Sequence, residues 1–143
     1  MTELTTDESV GFLRAQGFGR LAMILADEPH IVPVNYVHRA AASGPGIVYI
    51  RSAPGDKLFA AATNRSVAFQ VDRVTDADAV SVIVRGSARI VEDRAEIALV
   101  DALSLDPWVT TYKAEIIAID LVEATGRLFD FAADRQDPPA EPA

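Results

Sequence analysis

The stretch "SVAFQVDRVTDADAVSVIVRGSARIV", Ser66 to Val91, decides the fold class of this chain. Its first part, Ser66 to Asp72, alternates apolar and polar residues, which turns Val67, Phe69 and Val71 to one face. "RVTDADA" then reads as a polar turn. The alternation resumes over Val80 to Val91, the longest strand of the chain, with Val80, Val82, Val84, Ala88 and Ile90 sharing a face. No helix separates the two segments, so they pair antiparallel, since a parallel partner would need a crossover. Gly86 suits a bulge or bend in the second segment.

The same pattern extends outward. "FGRLAMILA" (Phe18 to Ala26) and "HIVPVNYVHR" (His30 to Arg39) read as strands, and Pro33 marks the second as an edge or bulge because it has no N–H for the ladder. After the loop "AAASGPG", "IVYIRS" (Ile47 to Ser52) is another strand, and "AEIIAIDLVEATGRLFDF" gives one from about Ala114 to Val122, then a turn and a short extended piece. Three helices punctuate the strands. Thr5 and Glu8 have capping-box spacing before a short helix that Gly17 ends. "GDKLFAAATN" (Gly55 to Asn64) has helical spacing, and so does "DRAEIALVDAL" (Asp93 to Leu103), where Asp93 and Glu96 form a second capping-type pair. Six or so strands with short connections predict an antiparallel barrel or sandwich with helices attached. At 143 residues one domain is expected, over about residues 1–132, followed by a disordered Pro-rich tail over 133–143.

Composition removes several functions. The chain has no cysteine, which excludes disulfides, thiolate catalysis and Fe–S ligation and fits a cytoplasmic protein. A net charge of −8 argues against general binding to nucleic acid or an anionic membrane. No apolar run approaches the ~18 residues of a membrane helix, and the acidic, polar start does not read as a secretory signal. His30 and His38 stand too far apart along one predicted strand to share a metal. No G-x-S-x-G elbow occurs, and Asp72, Asp76 and Asp78 read as turn carboxylates without a calcium-loop pattern.

Against this acidic background, "IRSAPGDKLF" (Ile50 to Phe59) gathers Arg51, Ser52 and Lys57 around one turn. Charged donors, a hydroxyl and a glycine before a helix are the parts that hold a phosphate. The stretch is not a Walker loop, and two solvated cations on a surface turn would look the same by spacing alone. Trp108, the single tryptophan, reads either as a core anchor or as a wall for a planar ligand.

Taken in order, "GRLAMILADEPHIVPVNYV", "VYIRSAPGDKL", "VAFQVD", "VSVIVRGSARIV" and "PW…TGRLF" resemble the pyridoxamine 5′-phosphate oxidase-like family, from about Leu4 to Phe129. The resemblance implies a mainly β, α+β fold: a six-stranded antiparallel split β-barrel with flanking helices. It also implies a homodimer with FMN in clefts between the subunits. Carried over residue by residue, Arg51 and Lys57 hold the FMN phosphate with Ser52 beside them. Val34 and Asn35 run along the ring edge, Ile50 offers a backbone contact, and Ser81 is a polar contact. Trp108 and Arg127 fall where the partner subunit contributes. The true oxidases have a basic residue where Asp56 stands, which opens the deazaflavin F420 as an alternative cofactor. They also carry a basic, aromatic C-terminal cluster that this chain lacks, so it is not expected to oxidise pyridoxamine phosphate. The implied function is a flavin-dependent oxidoreductase acting on a small planar or conjugated substrate. A non-enzymatic flavin or haem carrier, and a dimer without a cofactor, are the alternatives.

Overall fold

In the computed structural model the chain is described over residues 1–53, 56–103 and 115–133, with backbone only at Lys57 and Leu58. The elements are β1 (Thr2–Leu4), α1 (Thr6–Ala15), β2 (Phe18–Leu25), β3 (Glu28–Asn35), β4 (Val37–Arg39), β5 (Ile47–Ser52), α2 (Lys57–Ala62), β6 (Ser66–Val74), β7 (Asp78–Ile90), α3 (Arg94–Ala102) and β8 (Glu115–Asp130). All strands join one sheet in the order β3-β2-β6-β7-β8-β5-β4, with β1 added on β8, and every pairing is antiparallel.

The ends of that order explain its shape. β3 and β4 lie at opposite ends of the hydrogen-bonded path, yet a single residue, Tyr36, joins them. The sheet must therefore curl until its two ends meet, which makes it a barrel. The ladder does not close across the join, so the barrel is split. Tyr36 anchors the join: it is buried, its hydroxyl donates to the Leu13 carbonyl at 2.5 Å, and its ring meets Phe69 edge-on with centroids 4.9 Å apart. The single strand expected over His30 to Arg39 is thus two strands, broken where the chain passes from one sheet edge to the other. Pro33 lies on β3, an edge strand, as its missing N–H demands.

The six strands expected are the six long ones, and β1 and β4 are three-residue additions. The β6–β7 turn is tighter than "RVTDADA" suggests, because both strands run into it and the Thr75 hydroxyl accepts from the backbone N–H groups of Ala77 and Asp78. β2 and β3 are joined through Ala26 and Asp27, both at positive φ, as a two-residue hairpin of right twist requires.

The largest departure is at the C-terminal end. "ATGRLF" does not turn; β8 continues through it to Asp130. Gly126 is a place of close approach, where an added Cβ would lie 2.6 Å from the Ser9 hydroxyl of α1. Gly86 marks the expected irregularity, since the β7–β8 register shifts between Arg85 and Gly86. The surplus residue is Val122 on β8, and a side chain at position 86 would meet the Asp120 carbonyl.

Two apolar clusters result. The main core fills the barrel with Leu21, Val48, Ile50, Phe69, Val82, Val84 and Ile119, and Leu13 of α1 enters it. α1 starts with the expected reciprocal capping box between Thr5 and Glu8. The second cluster lies outside the barrel, where Val100 and Ile97 of α3 pack on Tyr49, Ile116 and Ala118. The expected Pro-rich tail lies outside the described residues, apart from Ala133.

Candidate functional site

The split is where the sequence's candidate residues meet. β4 pairs with β5 through Val37↔Tyr49. Continuing that register past Tyr36 sets Asn35 level with Arg51. Val34, Asn35, Ile50, Arg51 and Ser52 therefore gather where β3 faces β5. Val34 and Ile50 bury their side chains in the core, which leaves only backbone for a ligand. Asn35 is half-buried at the end of β3.

Arg51 and Ser52 leave β5 on opposite faces, as strand alternation requires. Arg51 shares the face of Ile47 and Tyr49, toward α3. One terminal guanidinium nitrogen donates to the Asp101 carboxylate at 2.6 Å, and its Nε is buried without a partner among the described residues. Ser52 faces the barrel interior, is 5% exposed, and its Oγ also lacks a partner among the described residues. Buried donors without acceptors are uncommon, since each costs about 1–3 kcal/mol. The two lie on opposite faces of β5, the Arg51 donor on the α3 side and the Ser52 hydroxyl on the barrel side, so an anion on the α3 side would meet Arg51 but not the Ser52 hydroxyl. Lys57 is the first residue of α2, five residues beyond Ser52. Trp108 lies outside the described residues.

Ser81 is elsewhere. It lies on the outer face of β7, opposite Asp72 on β6 and Arg127 on β8. Arg51 pairs with Ile116 on the same strand β8. Eleven residues of β8 separate the two levels, a contour of about 36 Å at ~3.3 Å per residue. Ser81 belongs instead to a polar row across the outer face. Arg20 donates to Gln70 at 3.0 Å and reaches Asp72 at 3.4 Å, while Gln70 Nε2 donates to Asp72 at 2.9 Å and to Ser81 at 3.3 Å. The alternation of "VAFQVD" already puts Gln70 and Asp72 outward, so this row was open to sequence reading. Arg20 enters it only through the β2–β6 pairing.

A second charged group was not foreseen. Glu96 does not complete its capping pair; Asp93 accepts from the Glu96 N–H, but the Glu96 side chain turns to the sheet. There it accepts from Arg89 at 2.7 and 2.8 Å and from the Tyr49 hydroxyl at 2.6 Å. Arg89 also donates to Asp120, and Arg39 donates to Tyr49 Oη. The Arg89 guanidinium holds the Glu96 carboxyl down at about 2, and burial raises the Tyr49 phenol. This network fixes α3, and hence Asp101, against β5. His38, expected at a strand end, is buried on β4. Its Nε2–H donates to the Pro45 carbonyl at 2.6 Å, and burial lowers its pKa.

Comparison with known proteins shows the family and the fold. The family model for pyridoxamine 5′-phosphate oxidase matches residues 5–128. The FAD-binding protein of Mycobacterium smegmatis superposes with a TM-score of 0.81 at 35% identity, covering 91% of this chain and 99% of that one. A FAD-binding protein of Mesorhizobium loti gives 0.72 at 25% identity, covering 90% and 98%. An uncharacterised protein of Mycobacterium tuberculosis is 34% identical over 87 residues, 61% of this chain and 79% of its own length. With its open antiparallel barrel and a family match over nearly its whole length, this chain belongs to the pyridoxamine 5′-phosphate oxidase-like family of flavin-binding split barrels.

Proposed function

We propose that this protein is a flavin-dependent oxidoreductase that holds a flavin nucleotide at the split between β3 and β5 and acts on a small planar or conjugated substrate. The observation that carries the reading is the 35% identity to a FAD-binding protein over nearly the whole of both chains. The orphaned Nε of Arg51 supports it, because a phosphate brought to the α3 side of β5 would give that guanidinium an acceptor; the Ser52 hydroxyl lies on the opposite face, toward the barrel interior. Lys57 would add a cation from the next turn. Val34, Asn35 and Ile50 would offer backbone to the ring edge. A bound flavin supplies the hydride chemistry, so the chain needs no acid–base pair or nucleophile of its own. Its residues bind, orient and exclude water.

FMN is the cofactor that the family resemblance assigns to Arg51, Ser52 and Lys57. FAD is the second reading, favoured by the FAD-binding proteins of M. smegmatis and M. loti. A homodimer goes with either reading. The ~36 Å contour along β8 sets Ser81 and Arg51 of one chain far apart, so a second copy would bring Ser81, and with it Arg127, to the first copy's split. The outer face of β3, β2, β6 and β7 carries exposed Phe18, Ile24, Ile31 and Ile83, an apolar surface of the kind a second copy covers. No helix among the described residues is long and apolar enough to cross a membrane; a cytoplasmic location is the reading that fits a chain without cysteine.

The test is the absorption spectrum of the protein as purified, with mass spectrometry of the extracted cofactor. A flavin spectrum with FMN or FAD released on denaturation, and turnover with a reductant and a quinone or nitroaromatic acceptor, is the expected result. Bound flavin without turnover would make the protein a carrier. Extracted F420 or haem, or a colourless protein that titrates with no flavin, would overturn the reading.

A further inference from the structure

We infer that Asp101 is a cofactor-selecting residue, which disfavours FMN relative to FAD at the β5 split. The inference rests on the flavin reading above and deepens it.

The seat for a phosphate contains a cation that is already paired. The Asp101 carboxylate stands 2.6 Å from the Arg51 guanidinium, and α3 puts it there firmly. Glu96 is tied to Arg89 and Tyr49, and the fully buried Val100 precedes Asp101 on the same helix. A second carboxylate, Asp56, is half-buried in the turn between β5 and α2, where its N–H donates to the Ala53 carbonyl at 3.2 Å. An anion that approaches Arg51 therefore meets a guanidinium already paired with Asp101.

That setting discriminates by charge per phosphorus. A terminal phosphomonoester such as that of FMN carries about −1.5 to −2 at neutral pH. The pyrophosphate of FAD is a diester with one charge on each phosphorus, and the second phosphorus lies farther along the ligand. The extra charge on the monoester is repelled by Asp101 at a few ångströms, and in a partly screened surface setting one such charge is worth about a tenfold change in affinity. The FAD linkage carries that charge on its second phosphorus, farther from Asp101, so it meets less of the repulsion and still accepts from Arg51.

The test is equilibrium titration of the full-length chain, stripped of any co-purified flavin, with FMN and with FAD. Asp101→Asn preserves size and removes the charge; Asp101→Ser is a second variant should the first misfold. Both are expected to shift the FMN-to-FAD affinity ratio about tenfold toward FMN, mainly through tighter FMN binding. Arg51→Ala is expected to weaken both ligands about tenfold or more. If Arg51→Ala weakens both but neither Asp101 variant moves the ratio, selection by Asp101 is wrong and the site stands. If Arg51→Ala leaves both affinities unchanged, or the wild type binds neither flavin, the site reading fails and this inference with it.

Discussion

Arg51 shows how far a single residue can be read. Its alternation with Ile47 and Tyr49 is visible in six residues of sequence, and the structure keeps it on that face. Its partner is not visible, because Asp101 lies fifty residues away and arrives only when α3 docks. Gly86 behaves the same way. A bend was legible from the glycine, but the surplus residue sits on the other strand, at Val122, and no reading of one strand locates it. The backbone carbonyl of Asp120 has nowhere to go if a side chain appears there. Gly86→Ala should therefore destabilise the fold by about 1–3 kcal/mol, the usual cost of overpacking. Urea unfolding measures it, and a change within a few tenths of a kcal/mol would mean that β8 yields at its bulge.

At the scale of elements, helix and strand boundaries followed local signals where the stabilising bonds are local. The α1 capping box is one such case. α3 differs, since its N-cap is local but its attachment is not. Glu96 carries a folded-state pKa of about 2 against an ordinary 4.5, chiefly through its bonds to Arg89. A depressed carboxylate stabilises the fold above its unfolded pKa, and that contribution fades as pH falls from about 4.5 toward 2. Glu96→Gln should cost about 1.5–3 kcal/mol at neutral pH, the range for hydrogen bonds to charged groups. It should also flatten the acid side of the stability curve. Chemical unfolding of both proteins across that pH range checks it; parallel curves would show that Arg89 and Glu96 contribute nothing through charge. If α3 loosens in this variant, Asp101 loses its seat as well, which links this network to the flavin site.

For the whole molecule, the outer sheet face sets the expectation. A groove of about 560 Å³, bordered by Ala22, Ile24, Pro29, Ala68, Arg85 and Val122, runs across it beside exposed Ile31. The apolar groove, beside the polar row of Arg20, Gln70, Asp72 and Ser81, is surface of the kind a second copy covers. Light scattering should give twice the chain mass, and the double variant Ile31→Glu, Ile83→Glu should give a monomer that retains little flavin. A wild-type monomer that binds flavin normally would remove the second copy from the site.

Local pattern in the sequence sufficed for the antiparallel class, for an edge or bulge at Pro33, and for two of the helix starts. Those features rest on side-chain periodicity and on hydrogen bonds between residues a few positions apart. The tertiary structure alone decided that β3 and β4 part at Tyr36, that β8 runs through Gly126, and that Asp101 meets Arg51. Each of these depends on which distant segment arrives at a given place. Sheet order and helix docking set that through burial and ion pairing across the whole chain, which no local pattern records.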